Sequence, residues 1–474
     1  MSIEEAVRPR PVASETVVTT VDFAGRFRPG VDRWEYLPFD VPAGVRRITV
    51  RADYDRFTVV RGCVGNVLDL GLFGPAGWQL GNGAGFRGWS GGARQEFTVS
   101  AGDATPGYLP GPIDPGTWAV ALGPVVLNPF GMRWRVRVAF EYGEPVEPAV
   151  ELPPPVAVPG RGPGWYRGDL HLHTVHSDGQ RNPDALARAA RTAGLDFFAS
   201  TEHNTHALNR SWGEHCPPGL LVLPGEEVTT RHGHWLAVGL PERHWVDWRY
   251  GPRDGLFPGY AAGVRAAGGL VVAAHPAVPV PGTAWRFGYE QVDAIEVWNG
   301  HWNIDDEIAL WIWDRLLRRG RRVAAVGGSD SHASCDPVGR PQVVVYADAL
   351  SRTAVLDALR QGRGYLAESA GVSVDLTLRC GDRVAGPGAD LAVPSGAPVT
   401  VSAMVTGAPE GTVVVRTASG VAARARLDRT GEHELVWDTS GTQARFVRVE
   451  VRRFGRPGRM VALTNPVWLR PAAS

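Results

Sequence analysis

The sequence predicts an α/β domain, a small barrel of parallel strands, between an N-terminal and a C-terminal β-sandwich. Three observations predict it. Strand-like and helical runs alternate over residues 165–371. Short alternating strand runs fill residues 1–145 from about residue 20 and return over 372–474. A proline-rich stretch over 146–164 reads as a stiff, extended linker between the first two domains.

In the first region, Arg47-Ile48-Thr49-Val50-Arg51 and Arg133-Trp134-Arg135-Val136-Arg137-Val138 alternate as half-buried strands do, and Pro42-Ala43-Gly44 marks a turn. Gly83-Ala84-Gly85-Phe86-Arg87-Gly88 spells G-x-G-x-x-G, yet no helical pattern follows and no βαβ unit surrounds it, so it reads as a glycine-rich surface loop. In the middle region, Asp184–Ala193 reads as a helix that Asp184 favours at its start and Gly194 ends. Strands follow at 195–200, 220–223, 269–274, 293–297 and 322–326, with helices at 260–267, 305–319 and 353–361 between or after them. About seven strands in about 200 residues suit a small barrel better than a doubly wound sheet. In the last region, 372–378, 399–405, 412–417 and 445–452 read as strands.

Composition narrows the chemistry. The 474 residues carry no formal net charge and no basic tail, so bulk attraction to nucleic acid or to anionic membrane is not expected. All 49 basic residues are arginine, which removes Schiff-base lysines, P-loop lysines and Ser-Lys dyads; an arginine-biased genome is the simplest cause. Cys63, Cys216, Cys335 and Cys380 are scattered and suggest neither a zinc knuckle nor a disulfide scaffold. Met1–Thr19 lacks an apolar signal core and no run approaches a membrane span, so a cytoplasmic location is the default expectation.

The informative residues cluster after predicted strands. His171 and His173 stand at i and i+2, on one face of an extended segment. Asp178 follows closely. Glu202 and His203 come after 197–201, Glu226 and Glu227 after 221–225, and His232 and His234 precede 235–238. His275 follows 271–274, and Asp330 and His332 follow 326–329. In a parallel α/β domain the strand C-termini lie at one end, so these residues are expected to converge. Imidazoles and carboxylates without thiolates suit Zn, Mn or Fe, and two or three close ions would activate water and clamp a phosphate or carboxyl oxygen. No side-chain nucleophile competes: there is no Gly-x-Ser-x-Gly elbow, and Glu202-His203-Asn204-Thr205-His206 has the wrong order for a His-Glu-x-x-His helix. His176, His206, His232, His244 and His301 read as supporting, substrate-facing or exposed residues. Glu226 reads as a backbone acceptor and Cys335 as a small packing residue. Trp298, Trp302, Trp311 and Trp313 read as core, with Trp298 and Trp302 placed to wall a pocket.

These motifs resemble, in order, those of the PHP (polymerase and histidinol phosphatase) family. The first is Asp169-Leu170-His171-Leu172-His173-Thr174 with Ser177-Asp178-Gly179. Then come Thr201-Glu202-His203-Asn204, Pro224-Gly225-Glu226-Glu227 and Gly328-Ser329-Asp330-Ser331-His332. The resemblance covers about residues 165–370. It implies a distorted (β/α)7 barrel and two or three divalent ions (Mn, Zn or Fe) held by His171, His173, Asp178, His203, Glu227, His234, His275, Asp330 and His332. The family's aspartate before the second-motif histidine is Glu202 here. Where some members carry a further histidine, this chain has Glu296-Val297-Trp298-Asn299, which leaves a complete third metal site open. The Gly-Glu-Glu and Gly-His-Trp-Leu-Ala-Val-Gly patterns look like the branch that includes carbaryl hydrolases. The flanking β-domains lie outside the likeness.

The function expected first is hydrolysis of a small phosphoester by metal-activated hydroxide. Asp178 is a candidate catalytic group as well as a ligand. Arg210 and Arg231 are candidates to neutralise the phosphate, and His206 to protonate the leaving group. The alternative is hydrolysis of a carbamate, ester or amide by the same ions. A third reading, from another class, is a surface- or carbohydrate-binding protein with an inert barrel. A nuclease is disfavoured because no basic groove or aromatic platform is visible.

Overall fold

A computed structural model describes residues 18–472 apart from 31–32, 57–64, 145, 281, 441–443 and 454–457; Cys63 and most of Met1–Thr19 fall outside the described residues. Two compact units emerge. The first comprises residues 1–78, 84–87 and 94–150, and the second comprises 79–83, 88–93 and 151–474.

The first unit is built on two four-stranded sheets. One runs Val18–Phe27, Met132–Tyr142, Val45–Tyr54, Glu96–Ser100, and the other Glu35–Val41, Gly116–Val126, Val67–Phe73, Phe86–Trp89. Alternation decides which side of each strand is buried. Along Met132–Tyr142 every second residue from Met132 to Phe140 is buried, and Ile48, Val50, Trp118, Val120, Val136 and Val138 join one core. The Gly83–Gly88 stretch forms a short 3-10 turn, Gly83–Gly85, that leads into a strand and not a helix.

The second unit carries the site on one long mixed sheet. Its first seven strands run in the order Ala324–Gly328, Ala294–Asn299, Leu270–Ala273, Gly233–Val238, Leu221–Thr230, Phe197–Ser200, Gly164–Asp169. Four of these neighbouring pairs are parallel and two antiparallel. The antiparallel break comes from the short connection Arg231–His232 between Leu221–Thr230 and Gly233–Val238, since a parallel pair needs a crossover of a dozen or more residues.

Among the described residues, no continuous ladder closes the sheet into the expected barrel. Gly164–Asp169 has its free edge taken by Gln342–Ala347 in antiparallel register, and the sheet runs on through Gly364–Ala367 to Met460–Thr464 and the C-terminal strands. Among the described residues, the two ends of the seven-strand series meet beyond their ladders through an isolated bridge, Leu172 to Ser331, through the Asp330 amide on the His171 carbonyl, and through Ser329, whose amide and hydroxyl donate to Asp169.

Four helices of ten or more residues pack along this sheet: Pro183–Thr192, Phe257–Ala266, Ile304–Arg318 and Arg352–Gln361. The first is capped by Asn182, whose side chain accepts from the Ala185 amide, with Asp184 in the first turn; Gly194 (φ 76°) follows its end in a left-handed conformation. Trp311 departs from expectation: it is 56% exposed, while Trp313 is buried. Two residues apart on a helix is about 200° of rotation, so both cannot face the core. The C-terminal strands share a core with Val344, Tyr365 and Ala367.

Candidate metal centre

Strand ends deliver most of the predicted donors. Gly164–Asp169 runs into His171 and His173, Phe197–Ser200 into His203, and Leu270–Ala273 into His275. Ala324–Gly328 runs into Asp330 and His332, while Glu227 and His234 lie on the two strands of a hairpin and meet through their side chains. Glycine lets two of these segments touch: a Cβ on Gly328 would lie 2.4 Å from the His171 Cβ. His275 and Asp330 adopt positive φ, 25° and 50°, a conformation that side-chain-bearing residues occupy only when the surroundings enforce it.

The deepest group is His171, His173, Glu227 and Asp330. Glu227 Oε2 lies 3.1 Å from His171 Nε2 and 3.3 Å from His173 Nε2. Asp330 Oδ1 lies 3.3 and 3.1 Å from the same two nitrogens. None of these four buried atoms makes a directed hydrogen bond. Leaving such atoms unpaired costs about 1–3 kcal/mol each, so lone pairs converging on one point fit a cation that all of them coordinate. Around this core, His173, Asp178, His203 and His332 form a second set, and Glu227, His234 and His275 a third. In the second set Asp178 Oδ1 lies 3.2 Å from His332 Nε2 and 3.5 Å from His203 Nε2. In the third, Glu227 Oε1 lies 2.8 Å from His234 Nδ1 and 3.2 Å from His275 Nε2. All nine sequence-predicted ligands therefore meet at one end of the sheet, and Glu227 faces all three sets.

Charge follows from this crowding. Burial opposes ionisation of Glu227 and Asp330, but the surrounding histidines outweigh it and hold both carboxyls well below the ordinary range. Burial likewise opposes protonation of His203 and His332, yet Glu227, Asp178 and Asp330 raise them to about 10 and about 9. The donor set combines carboxylate and imidazole groups without thiolate, a chemistry that suits divalent metal ions.

A shell of partners fixes the rings. His171 Nδ1 faces Glu296 at 3.1 Å, His203 Nδ1 faces the Thr229 hydroxyl at 2.6 Å, and His332 Nδ1 donates to the Asp330 carbonyl at 2.8 Å. Arg181 donates to the Ser331 hydroxyl and to the carbonyls of Ala333, Ser334 and Asp336, pinning the loop that carries His332. Glu202 serves the same end from below: it accepts from the Thr174 amide (3.0 Å), the Thr174 hydroxyl (2.6 Å) and the Ser177 hydroxyl (2.5 Å), so it braces the His173–Asp178 turn. Gly91 sits against that turn, where a Cβ would lie 2.9 Å from the Ser177 Cβ.

The remaining candidates are placed differently. His206 is buried, accepts from Arg210 Nη2 at 3.0 Å, and is driven down to about 3 by burial and the Arg210 charge, so its imidazole is neutral. Arg210 also pairs with Glu151 at 3.1 Å. Arg231 lies half-buried in the hairpin connection. Glu226 is sealed, accepts from the Val246 amide, and burial raises its carboxyl well above the ordinary range. Cys335 is exposed, and Trp298 is buried with its ring nitrogen on the Gly300 carbonyl. Glu296, Thr229, Asn299 and Arg181 escaped sequence reasoning as partners of the ligands. Only the position of Glu296, on a strand of the same series, carried any signal.

No protein-family model matches the chain, and no curated protein matches it. Solved structures do. A two-domain protein from Bacteroides vulgatus, described as containing a predicted PHP-like metal-dependent phosphoesterase, is 19% identical over 67% of this chain and 99% of its own, with TM-score 0.38. A protein from Bifidobacterium adolescentis assigned as a metal-dependent phosphoesterase is 22% identical over 44% of this chain and 96% of its own, with TM-score 0.27. An amidohydrolase from Chromobacterium violaceum, with bound sulfate and no metal, is 20% identical over 36% of this chain and 89% of its own, with TM-score 0.29.

Proposed function

We propose that the protein is a metal-dependent hydrolase of a small phosphoester. One observation carries the reading: four buried, hydrogen-bond-deprived atoms of His171, His173, Glu227 and Asp330 converge, and two further donor sets share their members. Divalent ions bound there, Mn, Zn or Fe, would supply Lewis acidity and lower the pKa of a water.

The chain's own residues would do the rest. Asp178 and His332 are each 34% exposed, more than the other ligands, so substrate enters on their side. Asp178 there would take up or return a proton at the mouth. Arg231 and Arg210 would balance phosphate charge, Arg210 while sharing its guanidinium with Glu151. His206, held neutral, would have to gain its proton from the substrate complex before serving a leaving group. Ser177 is committed to Glu202 and offers no nucleophile, which leaves water as the attacking group. The architecture we assign is a distorted (β/α)7 barrel left open where Gly164–Asp169 pairs outward.

Carbamate, ester or amide hydrolysis is the second reading, since the same centre would polarise a carbonyl. Protein loaded with Mn(II), assayed on phosphomonoesters, phosphodiesters and aryl carbamates, separates the two. Turnover of a phosphoester class above all carbamates is expected; a clean preference for carbamates overturns the first reading. Stoichiometric metal without turnover of any class would favour a binding protein with an inert barrel.

A further inference from the structure

We propose that Glu296 is the positioning residue of this centre: a single buried carboxylate fixes His171 and His275 directly and Asp330 through Asn299. The inference rests on the metal-centre reading above. Glu296 is 1% exposed and sits on Ala294–Asn299, where the register with Ala324–Gly328 shifts between Glu296 and Trp298. Such a bulge re-aims a side chain.

Its oxygens hold three N–H groups from three segments. Oε1 and Oε2 lie 3.1 and 3.3 Å from His171 Nδ1, and Oε2 accepts from the His275 amide at 2.8 Å and from Asn299 Nδ2 at 3.1 Å. Asn299 Nδ2 also reaches Asp330 Oδ2 at 3.3 Å, and the Asn299 amide is tied to Asp306 at the start of helix Ile304–Arg318 (2.9 Å). A carboxylate only accepts, so His171 carries its proton on Nδ1 and turns the lone pair of Nε2 toward Glu227 and Asp330. Held this way, His171 is restricted to one tautomer and one ring orientation. The strained backbone at His275, φ 25°, is pinned by the same oxygen.

The geometry also says why an amide cannot replace it. Glutamine has one acceptor oxygen, so in Glu296→Gln at least one of the three N–H donors meets another donor. Aspartate is shorter by a methylene and falls short of the ring.

The test uses the metal-free full chain, titrated with Mn(II) alone by calorimetry, with side-chain 15N shifts of His171 recorded after addition of Zn(II). Glu296→Gln is expected to bind Mn(II) roughly 10- to 100-fold more weakly and to lose the single-tautomer signature of His171. Asn299→Ala, which leaves Glu296 in place, is expected to weaken binding by roughly 10-fold with the His171 tautomer unchanged. It keeps the test open if Glu296→Gln does not fold. Wild-type affinity in the foldable variants, or a lower melting temperature with the tautomer and affinity of the wild type, overturns the proposal. Failure of the wild type itself to bind Mn(II) or Zn(II) is a different result: it removes the centre, and the proposal with it.

Discussion

Glu227 and His171 face each other, Oε2 to Nε2, at 3.1 Å, with both side chains sealed from solvent. Neither atom finds a hydrogen bond, and the other oxygen of Glu227 faces His234 and His275. One carboxylate thus belongs to two of the donor sets. Glu227→Gln is expected to reduce bound metal to at most about one equivalent per chain, because two of the three sets lose their shared charge. Elemental analysis of the purified variant checks this; wild-type metal content would contradict it.

His173→Ala and Asp330→Ala remove ligands from the deepest set without touching the hydrophobic core. Turnover of an aryl phosphate is expected to fall by roughly 100-fold or more, with far-UV circular dichroism unchanged. Activity near that of the wild type in either variant would count directly against the site.

Arg181 makes four hydrogen bonds to the segment Ser331–Asp336. Arg181→Ala is expected to cost about 2 kcal/mol of stability and to loosen His332, so that KM rises more than the stability loss alone would move it. Denaturant unfolding and steady-state kinetics on the same preparation read both effects.

Far from the centre, Glu450 is fully buried between Arg448, Arg416 and Arg452. Burial opposes its ionisation, but the three guanidiniums win and bring its carboxyl down to about 2. The folded value lies below the unfolded one, so this contribution is complete above pH about 4.5 and is lost as pH falls toward about 2. It amounts to about 3 kcal/mol. Glu450→Gln leaves Arg448 its partner Asp314 (2.6 Å) and is expected to flatten the acid limb of the stability profile. Equal slopes in wild type and variant between about pH 5 and about pH 2.5 would contradict it.

Most of the predicted donors were legible because they follow strands, and strand ends were marked by apolar runs followed by Gly, His, Asp or Glu, whereas Glu227 and His234 lie within the two strands of a hairpin. His171, His203, His275 and Asp330 needed only the rule that parallel strands end together. Their partners were not legible. Glu296 reaches His171 from a strand that is not its neighbour in the sheet, Thr229 reaches His203 from the adjacent parallel strand, and Arg181 reaches carbonyls on a distant loop; none of these follows a local period. A small barrel was expected because about seven strands in about 200 residues suit one better than a doubly wound sheet. The strand Gln342–Ala347 lies on the closing edge, and edge occupancy is decided by long-range pairing that hydropathy does not encode. Trp311 faces solvent because it lies about 200° around the helix from the buried Trp313, a phase that aromatic content alone does not carry.

The central claim is that distant imidazoles and carboxylates gather into a site for several divalent ions. Elemental analysis of the full chain, stripped of metal and then reloaded with Mn(II), Zn(II) or Fe(II), measures this directly. Two or three equivalents per chain, reduced in His171→Ala, are predicted. A wild-type chain that takes up no stoichiometric metal from any of the three solutions would contradict the account.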